Sequence, residues 1–324
     1  MTRSAPAFDE EATHGLLPAT QDLIDVDHLV VDDGPARGSR VLTVRTDGGL
    51  MFDVLPDRGM DIGRTWAAGR SIGWRSPVAH AAPGRSDAGQ GWLDGWTGGL
   101  LTTCGLRNVG SPSEGFGQHG SYTDLASHSI QVHRRLIDGG GAVQVQGVVD
   151  DVSSLGPHLR LTRSITTQNH RHRIVIEDQL ENLGPETEQT PILYHVNLGY
   201  PFLTAASEYQ IDGTDASQDW QRMGGAQAGA VDRILTHDLV GETAQASITS
   251  PHLGLRATVR WRRDWLPFLH TWRRNIPGQF VASIEPANAT LAGRATDREA
   301  GIAPLLEPGE ARTTGIEIEL LALS

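Results

Sequence analysis

Hydrophobic and polar residues alternate with a period of two along most of this chain, as in β-strands that bury one face. The longest alternating stretches cover residues 142–149, 158–168, 171–182, 254–263 and 313–323. Shorter strand-like runs occupy residues 29–33, 39–46 and 49–56. The sequence shows no sustained period of 3.6 residues, so we expect helices to be few and short.

Turn-forming residues separate these runs, for example the glycine-rich 138–141 and the Asn-Leu-Gly-Pro of 182–185. The chain has no internal repeat, low-complexity tract or linker that would divide it. Its 324 residues include 38 glycines and 17 prolines, which is typical of many short elements joined by turns. We therefore predict an all-β fold, one large antiparallel β-sandwich over residues 26–324, preceded by a polar arm over residues 1–25.

The segment from about residue 80 to residue 125 departs from the alternating pattern. It is rich in Gly, Ser and Trp and contains Trp92, Trp96, Arg107 and His119. A loop of this length without structure is uncommon in a compact domain, unless it is functional or carries short strands of its own. Tryptophan can stack on the apolar face of a sugar ring, although it is also an ordinary core residue.

Composition excludes several classes of function. The formal net charge of −12 and the pI near 5.5 disfavour nucleic acid as a partner, since a phosphate-binding face needs an excess of basic residues. All 27 basic residues are arginine, so the chain has no lysine for a Schiff base, pyridoxal phosphate or a P-loop. The single Cys104 cannot form an intramolecular disulfide or a cysteine-rich metal site, and we expect it to be a small buried hydrophobe. No secretory signal or membrane-crossing apolar run is visible, so we expect a cytoplasmic protein with no membrane partner.

The stretch FVASIEPANA at residues 280–289 is the most informative part of the chain. Glu285 lies at the end of an alternating apolar run in this stretch, and Pro286 follows it directly. Because proline restricts the residue before it to extended conformations, we expect Glu285 on the last extended residue of a strand. A carboxylate held there suits a general base, whereas a surface salt bridge is the structural alternative.

Two histidines stand in similarly fixed settings. His119 lies among glycines in GFGQHGSY (115–122), and His195 lies with Asn197 in the apolar run TPILYHVNLGYPF (190–202). Histidine changes protonation near neutral pH and therefore suits acid–base chemistry. A core histidine bonded to a carbonyl and a loop histidine between flexible glycines are the structural alternatives.

These motifs resemble the aldose 1-epimerase (galactose mutarotase-like) superfamily in their order and spacing. The order is His119 followed by Gly, His195 ahead of an aromatic-rich strand end, and Glu285 in an Ile-Glu-Pro setting. The chain is similar to an uncharacterised branch of that superfamily in the phrases LPDRGMDIG (55–63), GLLTTCGLRNVG (99–110), YHVNLGYP (194–201) and EPGEART (307–313). The resemblance runs from about residue 40 to the C-terminus and implies a galactose mutarotase-like supersandwich.

What the resemblance implies is a mutarotase, which interconverts sugar anomers by acid–base ring opening. Glu285 would take the proton of the anomeric hydroxyl, His195 would protonate the ring oxygen, and His119 would orient the sugar. The residues implied as further sugar ligands are Arg107, Arg58, Asp61, Asn197, His270, Trp272 and Arg294. A mutual ion pair is the structural alternative for Arg58 and Asp61. The reaction needs an acid and a base but no metal or other cofactor, its partner is a small-molecule sugar, and a homodimer is compatible with it.

The identity of the sugar stays open because the chain departs from the galactose-type pattern. A further sugar-binding Asp of characterised members has no clear counterpart, and their Asn-Arg dipeptide reads Arg107-Asn108. An unusual aldose, a ketose and an anionic sugar all remain open. So do two other classes of protein on the same fold. One is a metal-dependent sugar isomerase or lyase with His119, His195 and Glu285 as ligands, although no HxH or HExxH motif pairs them. The other is a non-catalytic carbohydrate-binding protein.

Overall fold

Two large antiparallel sheets dominate the computed structural model, which describes residues 20–78, 91–137, 140–211, 222–239 and 241–323. The ten-stranded sheet has the spatial order β1 (Ile24–Val30), β2 (Arg40–Thr46), β3 (Leu50–Leu55), β4 (Asp61–Ala67), β8 (Leu101–Gly105), β14 (Ile192–Gly199), β20 (Gln279–Ala287), β19 (Phe268–Ile276) and β16 (Arg233–His237), with β5 (Arg70–Ser71) paired to β4. The eight-stranded sheet has the order β15 (Glu208–Ile211), β17 (Thr243–Ser250), β18 (Leu255–Arg262), β22 (Ala311–Ala322), β12 (Arg173–Asn182), β11 (His158–Gln168), β10 (Gly140–Val152) and β9 (Ser127–Ile137).

Minor elements complete the described part of the chain. The two-stranded pairs are β6 (Trp74–Arg75) with β7 (Gly98–Gly99), and β13 (Glu188–Gln189) with β21 (Leu305–Leu306). The helices are α1 (Trp92–Gly95) and α2 (Arg294–Glu299), with 3₁₀ turns at Thr20–Asp22 and Tyr122–Asp124. The predicted all-β sandwich with few and short helices is confirmed. No helix in these ranges is long and apolar enough to cross a membrane.

The alternating runs of the sequence coincide closely with strands. The run 158–168 is β11 itself, and the run 171–182 begins two residues ahead of β12. Both pack one face against the other sheet, so their buried residues recur every second position. Of the predicted N-terminal arm, residues 1–19 lie outside the described residues, and β1 begins at Ile24. The segment around Trp92 carries short elements of its own, namely α1, β7 and β8.

Glu285 lies inside β20, so the expectation that it ends a strand is wrong. The strand continues through Pro286 to Ala287, and Pro286 pairs with Leu269 of β19. On the other side of β20, the pairs with β14 skip from Leu193–Ala287 to Val196–Ile284. The missing N–H of proline therefore falls where the ladder with β14 is already interrupted, which is how a central strand tolerates it.

Two separate hydrophobic clusters cover the two faces of the ten-stranded sheet. The large cluster lies between the sheets and takes Tyr194 and Val196 from β14 together with residues such as Ile165 of β11. The small cluster lies on the opposite face and contains Leu193, Trp92, Trp96 and Cys104. Because both faces are covered, every residue of β14 is buried. Cys104 is fully buried, as predicted.

A charged network crosses the core between the sheets. Arg163 of β11 is fully buried and donates to both carboxylate oxygens of Asp178 on β12, at 2.9 and 2.7 Å. It also donates to Asp61 of β4 at 3.2 Å, and the Tyr194 hydroxyl donates to Asp178 at 2.6 Å. Burial raises the pKa of Asp61 to about 6, although Arg163 opposes the shift. The network joins β11 and β12 of one sheet to β4 and β14 of the other and so ties the two sheets together.

Candidate active site

The candidate site lies on the face of the ten-stranded sheet that points away from the eight-stranded sheet. Side chains alternate across a strand, so His195 faces outward because its neighbours Tyr194 and Val196 face the core. Glu285 lies on β20, the strand next to β14, and is the cross-strand partner of His270 on β19. Trp272 follows two residues later on the same face of β19.

His195 and Glu285 form a buried pair at the centre of this face. The His195 Nε2 atom lies 3.2 Å from Glu285 Oε1, and their side chains are only 6% and 3% exposed. Nε2 carries the proton when it faces a carboxylate, and Nδ1 is buried with no hydrogen-bond partner among the described residues. Burial lowers the pKa of His195 to about 4, and burial raises the pKa of Glu285 above its ordinary value. Their mutual attraction would shift both pKa values the other way, so desolvation dominates this pair.

His119 reaches the pair from a tightly braced loop. Its φ of +60° is left-handed and unusual for a residue other than glycine. The backbone of the loop packs so closely against its neighbours that only glycine fits at two positions. A Cβ on Gly110 would lie 2.2 Å from the Leu291 carbonyl oxygen, and one on Gly120 would lie 2.5 Å from the Gly105 oxygen. The Gly110 N–H donates to His119 Nδ1 at 3.3 Å, which leaves the ring proton on Nε2. Burial lowers the pKa of His119 to about 3.

Three tryptophans surround the two histidines. The Trp92 ring stacks on Trp96 at a centroid distance of 4.9 Å and lies 4.8 Å from His119. Trp96 and Trp272 lie edge-on to His195, at 5.1 and 5.9 Å. The Trp96 indole N–H donates to the Thr102 hydroxyl at 2.9 Å, which fixes the ring. These rings build apolar walls against which a sugar face can stack.

The described residues enclose a cavity of about 260 Å³ over this pair. Its polar lining is Ser111, Gln118, His119, His195, Asp232 and Glu285. Its larger apolar side chains are Trp92, Leu93, Trp96, Ile234, Trp272 and Leu291. Two more open grooves of about 550 Å³ each lie beside Trp265 and beside Tyr200. The described residues that line these two grooves include no histidine, so of the three sites only the smaller cavity combines histidines with a carboxylate.

Four of the residues expected to bind sugar face other partners. Arg107 donates to Asp151 at 2.9 Å, and Arg294 donates to the Arg107 carbonyl at 2.8 Å. Arg58 pairs with Asp124 at 3.2 Å, whereas Asp61 belongs to the network of Arg163. Arg58 and Asp61 therefore do not form the direct ion pair considered as their alternative, and none of the four lines the described cavity.

Two further expected residues stand behind the pair. The Asn197 amide donates to the His195 carbonyl at 2.8 Å and so braces β14 next to the imidazole. His270 is fully buried, with Nε2 bonded to the Ala289 carbonyl at 3.0 Å and Nδ1 bonded to the Thr236 hydroxyl at 2.8 Å. Both ring nitrogens are thus satisfied within the protein, and the role of His270 as a direct sugar ligand stays a prediction.

Asp232 is a residue of the candidate site that the sequence analysis did not single out. It lines the cavity, lies between His195 and Glu285 in the chain, and accepts a hydrogen bond from Arg274. It precedes β16, an edge strand that pairs with β19, and no local pattern marks it. Ser283, whose hydroxyl donates to Glu285, could have been predicted from the sequence. It lies two residues before Glu285 and therefore on the same face of the strand.

In chemical terms the site offers a carboxylate and two imidazoles that are neutral near pH 7, in a largely apolar cavity. Within the described ranges, no group of three or more His, Cys, Asp and Glu side chains is arranged to hold a metal ion. A neutral imidazole N–H can donate to an oxygen that develops negative charge, and a desolvated carboxylate can accept a proton. The arrangement is therefore suited to moving one proton between neighbouring oxygens of a bound molecule.

Solved structures with the same fold include proteins assigned to sugar chemistry. A candidate aldose 1-epimerase from Klebsiella pneumoniae superimposes with a TM-score of 0.85 and 20% identity, over 93% of this chain and 84% of that one. A galactose mutarotase-like protein from Clostridium acetobutylicum gives a TM-score of 0.64 and 13% identity, over 94% of this chain and all of that one. A candidate aldose 1-epimerase from Escherichia coli K12 gives 0.57 and 14%, over 93% and 100% of the two chains.

These likenesses show the galactose mutarotase-like fold that the sequence predicts. No curated protein matches the chain. The family profile described as "Domain of unknown function (DUF4432)" matches residues 36–320, which is most of the chain. The protein therefore belongs to the DUF4432 family and has a galactose mutarotase-like fold.

Proposed function

We propose that this protein is an aldose 1-epimerase, a mutarotase that interconverts the anomers of an uncharged sugar. The observation that carries the proposal is the buried pair of His195 Nε2 and Glu285 Oε1, 3.2 Å apart beneath a cavity walled by three tryptophans. In a cyclic sugar the anomeric oxygen and the ring oxygen are bound to one carbon. Groups that act on them as base and acid must therefore be neighbours, as this pair is.

The reaction needs one proton to leave the anomeric hydroxyl and one to reach the ring oxygen. Glu285 takes the first, because a desolvated carboxylate with a raised pKa is a stronger base than one in water. His195 donates a hydrogen bond from Nε2 to the ring oxygen as the bond between that oxygen and C1 breaks, and the proton that Glu285 took passes to the same oxygen, so the imidazole is neutral before and after the step. The open chain rotates about C1–C2, and the same steps in reverse close the ring on the other face.

The remaining polar groups bind and orient the sugar. His119 presents Nε2–H to a hydroxyl, since its Nδ1 is occupied by the Gly110 N–H. Asp232 and Gln118 line the same cavity and supply further hydrogen-bonding groups. The described lining contains no arginine, because Arg107, Arg58 and Arg294 are engaged elsewhere. This favours an uncharged sugar over the anionic one that the sequence left open.

Polarimetry on freshly dissolved α-anomers of neutral aldoses, such as glucose, galactose and xylose, tests the proposal. We expect the purified protein to accelerate the approach to anomeric equilibrium for at least one of them. Glu285→Gln keeps the shape of the side chain but removes the proton acceptor, so the catalysed rate should fall about 10²–10⁴-fold. Glu177→Gln, an exposed exchange on β12, is the matched control and should leave the rate unchanged.

The two outcomes against the proposal are distinct. A folded Glu285→Gln variant with the full rate would remove Glu285 from the mechanism. A protein that binds a sugar, shown by line broadening in NMR spectra, yet exchanges no anomers would instead be a carbohydrate-binding protein.

A further inference from the structure

Ser283 occupies an irregular point between β19 and β20. The pairing of these strands runs from Phe268–Ala287 to His270–Glu285 and resumes only at Arg273–Ala282. Within this interruption the Trp272 N–H donates to the Ser283 hydroxyl oxygen at 3.0 Å. The Trp272 carbonyl oxygen lies 3.2 Å from the same hydroxyl. The side chain of Ser283 thus replaces part of the backbone ladder and is fully buried.

The same hydroxyl donates a short hydrogen bond to Oε1 of Glu285. Oε1 is also the atom that His195 Nε2 approaches at 3.2 Å. By contrast, no hydrogen bond from the described residues reaches Oε2 of Glu285. The two oxygens of the carboxylate are therefore unequal: one is held by the protein, and the other is left for a ligand.

We propose that Ser283 is a positioning residue for Glu285, which holds Oε1 and leaves Oε2 as the atom that takes the substrate's proton. This inference rests on the proposed function, in which Glu285 is the base. Ser283 does not touch the sugar in this arrangement. It acts through the orientation and the charge of the carboxylate.

The hydroxyl has one hydrogen and two acceptors, which makes its support depend on the charge of Glu285. When Glu285 is ionised, the hydrogen points to Oε1, since hydrogen bonds to a charged acceptor are the stronger ones. When Glu285 holds the proton, the hydrogen can turn to the Trp272 carbonyl at 3.2 Å. Ser283 therefore stabilises the ionised base more than the protonated one, and it opposes the rise in the pKa of Glu285 that burial causes.

Few other groups near Glu285 can stabilise its negative charge. The titratable side chains around it among the described residues are His195 of β14, His270 of β19, Cys104 of β8, Tyr209 of β15, and His119 and Asp232 at the cavity. Burial lowers the pKa of all three histidines and raises the pKa of Cys104. Near pH 7 none of these groups is a cation, so the Ser283 hydroxyl is a main support of the carboxylate charge.

The test compares Ser283→Ala with wild type in the pH dependence of kcat/KM for anomer exchange. Loss of the hydroxyl raises the pKa of Glu285, so the acid limb should move up by about one pH unit. The rate loss should be about tenfold on that limb and should shrink above it, where Glu285 is ionised in both proteins. Ser283→Thr restores the hydroxyl and should restore the limb. Ser164→Ala removes a hydroxyl bonded to Gln144 at 2.6 Å in the other sheet and is the matched control.

A uniform loss of rate at every pH, or an unmoved acid limb, would overturn the inference and leave Ser283 a structural residue. Should the alanine variant fail to fold, Ser283→Cys keeps a weak donor of similar volume, and an intermediate shift is expected. An unmoved acid limb in Ser283→Cys would overturn the inference just as it would in Ser283→Ala.

An infrared titration separates this inference from the proposed function, because it needs no substrate. The carboxylic acid band of Glu285, identified by its absence in Glu285→Gln, should disappear at higher pH in Ser283→Ala than in wild type. If the band does not shift, the inference about Ser283 fails whatever the activity. If the band shifts but wild type exchanges no sugar, the proposed function fails while the control of Glu285 by Ser283 stands.

Discussion

Under the proposed function, the charge state of His195 makes a sharp prediction about the pH profile of anomer exchange. Its side chain is 6% exposed, and burial outweighs the support that the Asn197 side chain and the His195 carbonyl give to an imidazolium. With a pKa of about 4, only about one molecule in 10³ carries the cation at pH 7. If the cation were the required acid, kcat/KM would lose about tenfold for each further pH unit.

We expect instead that the neutral imidazole donates from Nε2, as neutral histidines can in other active sites. The profile of kcat/KM should then rise along one acid limb, set by Glu285, and stay flat above that limb with no alkaline fall. The assay is polarimetry between pH 4 and pH 10, with the rate of buffer alone subtracted at each pH. His195→Asn retains an N–H donor but not the imidazole, so it should lower the plateau without changing its shape.

An alkaline limb with a midpoint between about 6 and 8, present in wild type and absent in His195→Asn, would refute this reasoning. It would mean that the working enzyme keeps His195 as a cation, with Glu285 as its counter-ion. His133→Asn, an exposed exchange on β9, controls for the substitution itself. His119→Asn tests whether a limb belongs to the other histidine of the cavity.

Two further predictions concern the metal question and the buried network. Dialysis against EDTA should leave the rate of anomer exchange unchanged, whereas loss of activity that Zn²⁺ or Mn²⁺ restores would favour the metal-dependent alternative. Asp178→Asn removes the charge that faces Arg163 at 0% exposure, so the free energy of unfolding in denaturant should fall by about 3–5 kcal/mol. Asp264→Asn, which breaks an exposed pair with Arg262, should cause no measurable change, and equal effects of the two exchanges would contradict the importance of the network.

Much of the fold could be predicted because its strands bury one face, and burial of one face leaves a period of two in the sequence. In β11 even the unusual residue follows the rule, since Arg163 is in phase with the buried Leu161 and Ile165. Its burial was readable from the alternation, but its partner was not. Asp178 lies on a neighbouring strand and Asp61 in the other sheet, and a linear pattern does not show which strands meet.

The same limit explains why some residues of the candidate site could be predicted from the sequence and others could not. His195 and Glu285 come from neighbouring strands and were marked by their settings in the chain, whereas Trp272 on the next strand was implied only by the family resemblance. Arg107 and Arg58 stood in equally suggestive phrases but are satisfied by Asp151 and Asp124. Asp232 reaches the cavity only because an edge strand pairs with β19. Glu285 was placed at a strand end because proline usually ends strands, and the interrupted ladder with β14 removes that constraint.

The alternation of inward and outward side chains along β14 limits how the sequence of this protein can change in evolution. Tyr194 faces inward to Asp178, and His195 faces outward to Glu285. Insertion or deletion of one residue in the strand would exchange the two faces, so that an imidazole entered the core and a phenol entered the cavity. Drift in β14 is therefore confined to substitutions that keep its length. Changes in substrate preference are therefore expected from substitutions in the loop of His119 and from changes in the segment that carries Asp232 ahead of β16, which lies outside the strands.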